Sequence, residues 1–91
     1  MNDTQLTREA LEEEDRRVRH LRMVVQLTMS VIAQTDVGLA QAEAMVGDVR
    51  RLALRLFPGK ELAFDLIYLP RLRRLLADRY GMASMAAWGV N

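Results

Sequence analysis

The chain contains no cysteine in its 91 residues. This absence excludes disulfide bonds, zinc–thiolate sites and thiol nucleophiles. Aromatic residues are scarce as well, and all five lie between Phe57 and Trp88. The first half of the chain must therefore pack with aliphatic side chains, alanine and methionine, and it offers little large, rigid anchoring surface.

Residues that carry chemistry are also few, with one histidine and one lysine in the sequence. His20 lies among arginines with no second histidine nearby, which is typical of a solvated surface residue. The acidic run 12–15 has neither the glycine nor the turns of a calcium loop, and it fits a solvated helix face. Lys60 follows a Pro-Gly turn without the glycine pattern of a phosphate-binding loop. We predict no catalytic residue, metal site, cofactor or small-molecule substrate.

Long hydrophobic runs are missing too. The longest uncharged stretch inside the expected fold, 23–35, is shorter than the roughly 20 apolar residues that cross a bilayer, and it contains polar residues such as Gln26, Thr28, Ser30 and Gln34. The first residues lack the basic and apolar regions of a signal peptide. We therefore expect a cytoplasmic protein with no membrane association.

What the sequence does contain is helical periodicity throughout, which predicts an all-α fold. The first helix runs from Thr4 or Thr7 to Gln34, and Thr35-Asp36 supplies caps for the second, which stops at Phe57-Pro58-Gly59. A third segment covers 61–80, with Gly81 as its C-terminal stop. We expect one domain over 1–91: a small helical bundle of three main helices, with a charged, partly projecting start (1–17) and a tail (82–91) that is frayed or docked through Trp88.

The third segment carries apolar residues almost all round, so its first part is expected to be largely buried. A continuous helix would place Arg73 in the centre of an apolar stripe formed by Leu62, Leu66 and Leu69. Pro70 resolves this conflict, because proline kinks a helix or begins a new one. We predict that helix 3 is kinked or split at Pro70.

The length of helix 1 predicts a partner. A compact domain of this size has a diameter of about 30 Å, whereas a helix over 7–34 is roughly 42 Å long. Met23 and Leu27 also form an apolar flank away from the main stripe. We expect a homodimer, or assembly with another protein, with interface residues Leu11, Val18, Met23, Leu27 and Val31. The alternative is a monomer in which helix 3 covers that flank and helix 1 frays before Val18.

The charge is unevenly distributed, since residues 1–47 carry five basic side chains against eight carboxylates and residues 48–91 carry eight against four. An anion-binding surface could form from Arg50, Arg51, Arg71 and Arg74. No aromatic or glycine-rich pattern of a nucleic-acid module accompanies them, and the helix after Thr35 lacks basic residues in its first turns. The first function we expect is protein–protein interaction or assembly by self-association; the alternative is an anion- or nucleic-acid-associated regulator that uses these arginines.

Overall fold

The computed structural model describes residues 3–81 and consists of four helices. They are α1 (Asp3–Gln34), α2 (Leu39–Leu56), α3 (Glu61–Ile67) and α4 (Leu69–Tyr80), and the described residues contain no strand. The predicted all-α bundle is confirmed. The count is four because the third segment is split in two. The expected roles of the tail 82–91 and of Trp88 lie outside the described residues.

The connections show why the helices end where they do. The backbone N–H of Thr35 donates to the carbonyl of Val31 at 3.0 Å, and the Oγ1 of Thr35 donates to the same carbonyl at 2.5 Å. The prediction that Thr35 or Asp36 caps α2 is wrong: the N-cap is Gly38, and no side chain caps this end. The helix begins later than predicted, so Thr35 and Asp36 both precede the N-cap residue. After α2, Gly59 adopts a φ of 80°, which glycine alone takes without strain.

The split between α3 and α4 occurs at Tyr68, and Pro70 occupies the first turn of α4. Proline has no backbone N–H to donate back to the preceding turn. The chain stays close to helical here, because the N–H of Tyr68 donates to Phe64 and that of Leu72 to Tyr68. The prediction of a break at Pro70 is confirmed, and α4 ends at Gly81 as expected, with φ of 94°.

The core lies between α1, α2 and α4. Its buried apolar residues come from every helix but mainly from these three, and Thr28 of α1 is buried among them. The apolar set comprises Leu21, Val25, Ile32, Ala42, Val46, Val49, Ala53, Phe64, Leu69, Leu72 and Leu76. The small Ala42 and Ala53 let neighbouring helices approach α2 closely. At one end of the bundle the hydroxyl of Tyr80 donates to the carbonyl of Val37 at 2.7 Å, which ties α4 to the α1–α2 connection.

The expectation that the first part of the third segment is largely buried is wrong. In α3 only Phe64 is buried, whereas Leu62, Leu66 and Ile67 are 71%, 68% and 58% exposed. The helix has seven residues, and Phe64 is its one buried residue. Its remaining apolar side chains therefore face solvent.

The beginning of α1 projects beyond the bundle. All residues in 3–16, which we call the projecting segment, are exposed, and the first buried residue of α1 is Leu21. Fourteen residues of helix span about 21 Å. The projection makes the described chain 55 Å long with a radius of gyration of 15.9 Å, against about 12 Å for a compact domain of this size.

Candidate interaction surfaces

The face of α1 that points away from the bundle carries both apolar and charged side chains. Its members recur at spacings of three and four, which places them on one side of a helix, and all are exposed. This outer face consists of Leu6, Glu9, Glu13, Arg16, His20, Met23 and Leu27. Leu6, Met23 and Leu27 are 51%, 61% and 63% exposed. Large apolar side chains thus stand at both ends of the face, and charged or ionisable ones lie between them.

Charged side chains on and beside the outer face form ion pairs within the chain. Arg16 donates to Glu13 at 2.5 Å and Arg17 donates to the other oxygen of the same carboxylate at 3.5 Å. The hydrogen bond from Arg16, the positive charge of Arg16 and that of Arg17 lower the pKa of Glu13. The shift favours the ionised carboxylate, which lies beside Arg16.

A second line of side chains on α1 continues the core into the projecting segment. Leu21, Val25, Thr28 and Ile32 are buried, and the same alternation of three and four extends back through Val18, Glu14, Leu11, Thr7 and Thr4. We call this line the inner seam. Val18 is half-buried and Leu11 is 60% exposed. The inner seam thus becomes polar as it leaves the bundle.

The five predicted interface residues do not share one face. Leu11 and Val18 belong to the inner seam, whereas Met23 and Leu27 belong to the outer face. Val31 is half-buried on a flank between them. Of the monomeric alternative, the covered flank is not observed, because Met23 and Leu27 are exposed. The structure describes α1 as helical from Asp3.

An apolar groove opens where α1 enters the bundle. It has a volume of about 320 Å³ and is lined mainly by apolar and aromatic side chains of α1, α2 and α3. The rings of Phe64 and Tyr68 lie 5.7 Å apart on one side, and the guanidinium of Arg17 lies 6.0 Å from the ring of Phe57 on the other. Sequence periodicity gave no sign of this groove, since it depends on how α3 crosses the end of α2.

Arg50 joins α2 to α3 by an ion pair. Its Nε and Nη2 donate to the two carboxylate oxygens of Asp65 at 2.9 and 3.0 Å. These hydrogen bonds lower the pKa of Asp65, aided by the positive charges of Arg50 and Arg73. Both side chains remain about one-third exposed, so water screens the pair and its contribution to folding is below about 1 kcal/mol.

Substituting Asp65→Asn should therefore lower stability modestly and in a pH-dependent way. A carboxylate whose pKa falls on folding stabilises the fold above its unfolded pKa of about 3.9 and loses this effect as pH falls through the folded value. We expect a loss below about 1 kcal/mol in urea denaturation at pH 7 that disappears near pH 2. Asp48→Asn is the control, because its pair with Arg51 is within one helix and 70% exposed on both sides. An equal loss in both variants would contradict the role of the Arg50–Asp65 pair.

The four arginines predicted to bind anions are not brought together. Arg50 is bound to Asp65, and Arg51 is paired with Asp48 on the exposed side of α2. Arg71 instead lies in a shallow hollow beside Arg22 and Gln26 of α1. Arg74 is exposed on α4. Arg50 and Arg51 each form an ion pair with a carboxylate of the same chain. The four arginines therefore do not form one anion-binding site.

Chemistry-bearing side chains do not converge elsewhere in residues 3–81. No group of three or more histidine, aspartate or glutamate side chains there could hold a metal ion. His20 is exposed on the outer face of α1. None of the described helices is long and apolar enough to pass through a bilayer.

No family model, curated protein or solved structure matches this chain.

Proposed function

We propose that the protein is a self-associating interaction module in which α1 helices of two copies form the interface. The observation that carries the proposal is the projection of α1: residues 3–16, about 21 Å of helix, are all exposed, and none of them belongs to the buried core. Helices without tertiary contacts are only marginally stable in water. A second helix alongside would stabilise this segment.

The outer face supports the same proposal. Met23 and Leu27 lie one turn apart and are both more than 60% exposed, on the part of α1 that packs on the bundle through its opposite side. The apolar face is thus presented by a rigid helix, which needs little ordering on association. A small core also gains stability from oligomerisation.

A symmetric dimer of identical chains is the commonest closed assembly of soluble proteins. The outer face suits such an assembly because it carries apolar residues and both signs of charge. Apolar side chains of one copy can pack on those of the other, and acidic side chains can pair with basic ones.

Hydrogen exchange at two protein concentrations tests the proposal. Amides of the projecting segment should exchange rapidly in dilute samples, because an unsupported helix end opens readily. Raising the concentration to favour the dimer should slow their exchange by about tenfold or more. Amides of α3, which the interface leaves uncovered, serve as the internal control. Exchange of the projecting segment that is independent of concentration would contradict self-association through α1.

A further inference from the structure

The outer face of α1 has a sequence order that fixes how two copies would pair. Read from the N-terminus, its first six positions are Leu6, Glu9, Glu13, Arg16, His20 and Met23. The order is apolar, acidic, acidic, basic, ionisable base, apolar. The sequence of residue types is therefore complementary to its own reverse: apolar corresponds to apolar and acidic to basic. The centre of this symmetry lies between Glu14 and Asp15.

We infer that two copies of the chain pair through this face as an antiparallel helix pair centred between Glu14 and Asp15. This inference rests on the proposed self-association and adds its orientation and register. In this arrangement Leu6 lies opposite the partner's Met23, Glu9 opposite the partner's His20, and Glu13 opposite the partner's Arg16. Each contact occurs twice, as a two-fold axis requires.

Charge decides between the two orientations. In a parallel pair in register each side chain meets its own copy, so Glu9, Glu13 and Arg16 would each face a like charge. The antiparallel pair replaces these repulsions with two Glu13–Arg16 contacts at the axis, and opposite charges across such helix pairs select orientation. Arg16 already bonds Glu13 of its own chain at 2.5 Å. The axis thus gathers two arginines and two glutamates in one network.

In this arrangement the projecting segment packs on the partner's α1. Because Leu6 lies within it, the segment reaches past the two-fold axis and covers Met23 on the partner's rigid part of α1. The residues through which α1 packs on its own bundle, Leu21, Val25, Thr28 and Ile32, are not part of the outer face.

The absence of native cysteine allows a direct test of the register by disulfide crosslinking. Facing positions of packed helices have Cα atoms within about 7 Å, the limit for a disulfide. A chain with Leu6→Cys mixed with a chain carrying Met23→Cys should crosslink rapidly in a glutathione buffer. Leu6→Cys alone should not, because its two copies lie about 25 Å apart along the pair. Both positions are exposed, so folding is expected to be retained, which circular dichroism checks.

Leu6→Cys mixed with Leu62→Cys is the control for random collision, since Leu62 is exposed on α3. We expect the Leu6–Met23 disulfide to form at least about tenfold faster than this control disulfide. Equal rates, or faster crosslinking of Leu6→Cys with itself, would overturn the antiparallel register. If the wild-type chain nevertheless sediments as a dimer, the proposed self-association stands; if it is monomeric, both fail.

Discussion

Replacing Leu72 with alanine should remove a large part of the stability of the fold. Leu72 is fully buried in α4, at the centre of the contact that α4 makes with α1 and α2. Deletion of a buried leucine side chain costs about 2–5 kcal/mol through lost burial and the cavity left behind. A small domain has only about 5 kcal/mol or slightly more to lose.

The effect should appear as a fall in melting temperature of roughly 10–30 °C, since 1 kcal/mol corresponds to about 4–8 °C in a domain of this size. Thermal unfolding followed by circular dichroism at one fixed protein concentration measures it, because self-association would otherwise shift the midpoint. Leu66→Ala is the matched control: the same substitution at a position 68% exposed should cost less than about 0.5 kcal/mol. Similar losses in the two variants would contradict the assignment of the core.

The second large effect is expected from Met23→Glu combined with Leu27→Glu. Self-association through the outer face would bury four such side chains in the dimer, and each fully buried apolar side chain contributes about 1.5–3 kcal/mol. Carboxylates at these positions would have to lose their hydration, which is costly without a partner. We expect the dissociation constant to rise at least about 100-fold, as measured by light scattering after size-exclusion chromatography.

The bundle itself should be unaffected, because both residues are exposed in the single chain. The matched control is Leu62→Glu with Leu66→Glu, which adds the same charge to another exposed apolar surface, that of α3. This control should leave the dimer intact. Loss of the dimer in the control, with its retention in the α1 variant, would move the interface from α1 to α3.

The helical architecture could be read from the sequence because its signals are local. The apolar period of α2, the Pro58-Gly59 stop, Pro70 and Gly81 each act on the few residues around them, and the structure follows all four. The start of α2 was misassigned by a few residues because two polar side chains next to a turn compete for the role of cap. Gly38 takes it without a side chain.

Burial of α3 could not be deduced in the same way. A seven-residue helix with apolar side chains all round has no face that periodicity selects, and the sequence does not say where α2 ends relative to it. In the structure α3 crosses the end of α2 and buries Phe64, while Leu62 and Leu66 stay exposed. The apolar groove beside it follows from this placement.

The predicted interface residues lie on two faces of α1 because they were chosen for their apolar character along one long helix. The spacing of Leu11 and Met23 already places them about 120° apart around the helix, and the structure puts Leu11 on the inner seam and Met23 on the outer face. Leu6 is not among the predicted interface residues because it lies within a charged segment. The outer face that we propose as the interface can nevertheless be traced in the sequence, as the charge order from Leu6 to Met23 at spacings of three and four.

Sedimentation equilibrium of the wild-type chain tests the central claim most directly. The experiment should be run at neutral pH over concentrations from about 1 to 300 µM, the range in which a helix-pair dimer of moderate affinity dissociates. With increasing concentration the mass should rise from that of one chain, 10.4 kDa, to twice this value and no further. A mass of one chain at every concentration would contradict the account.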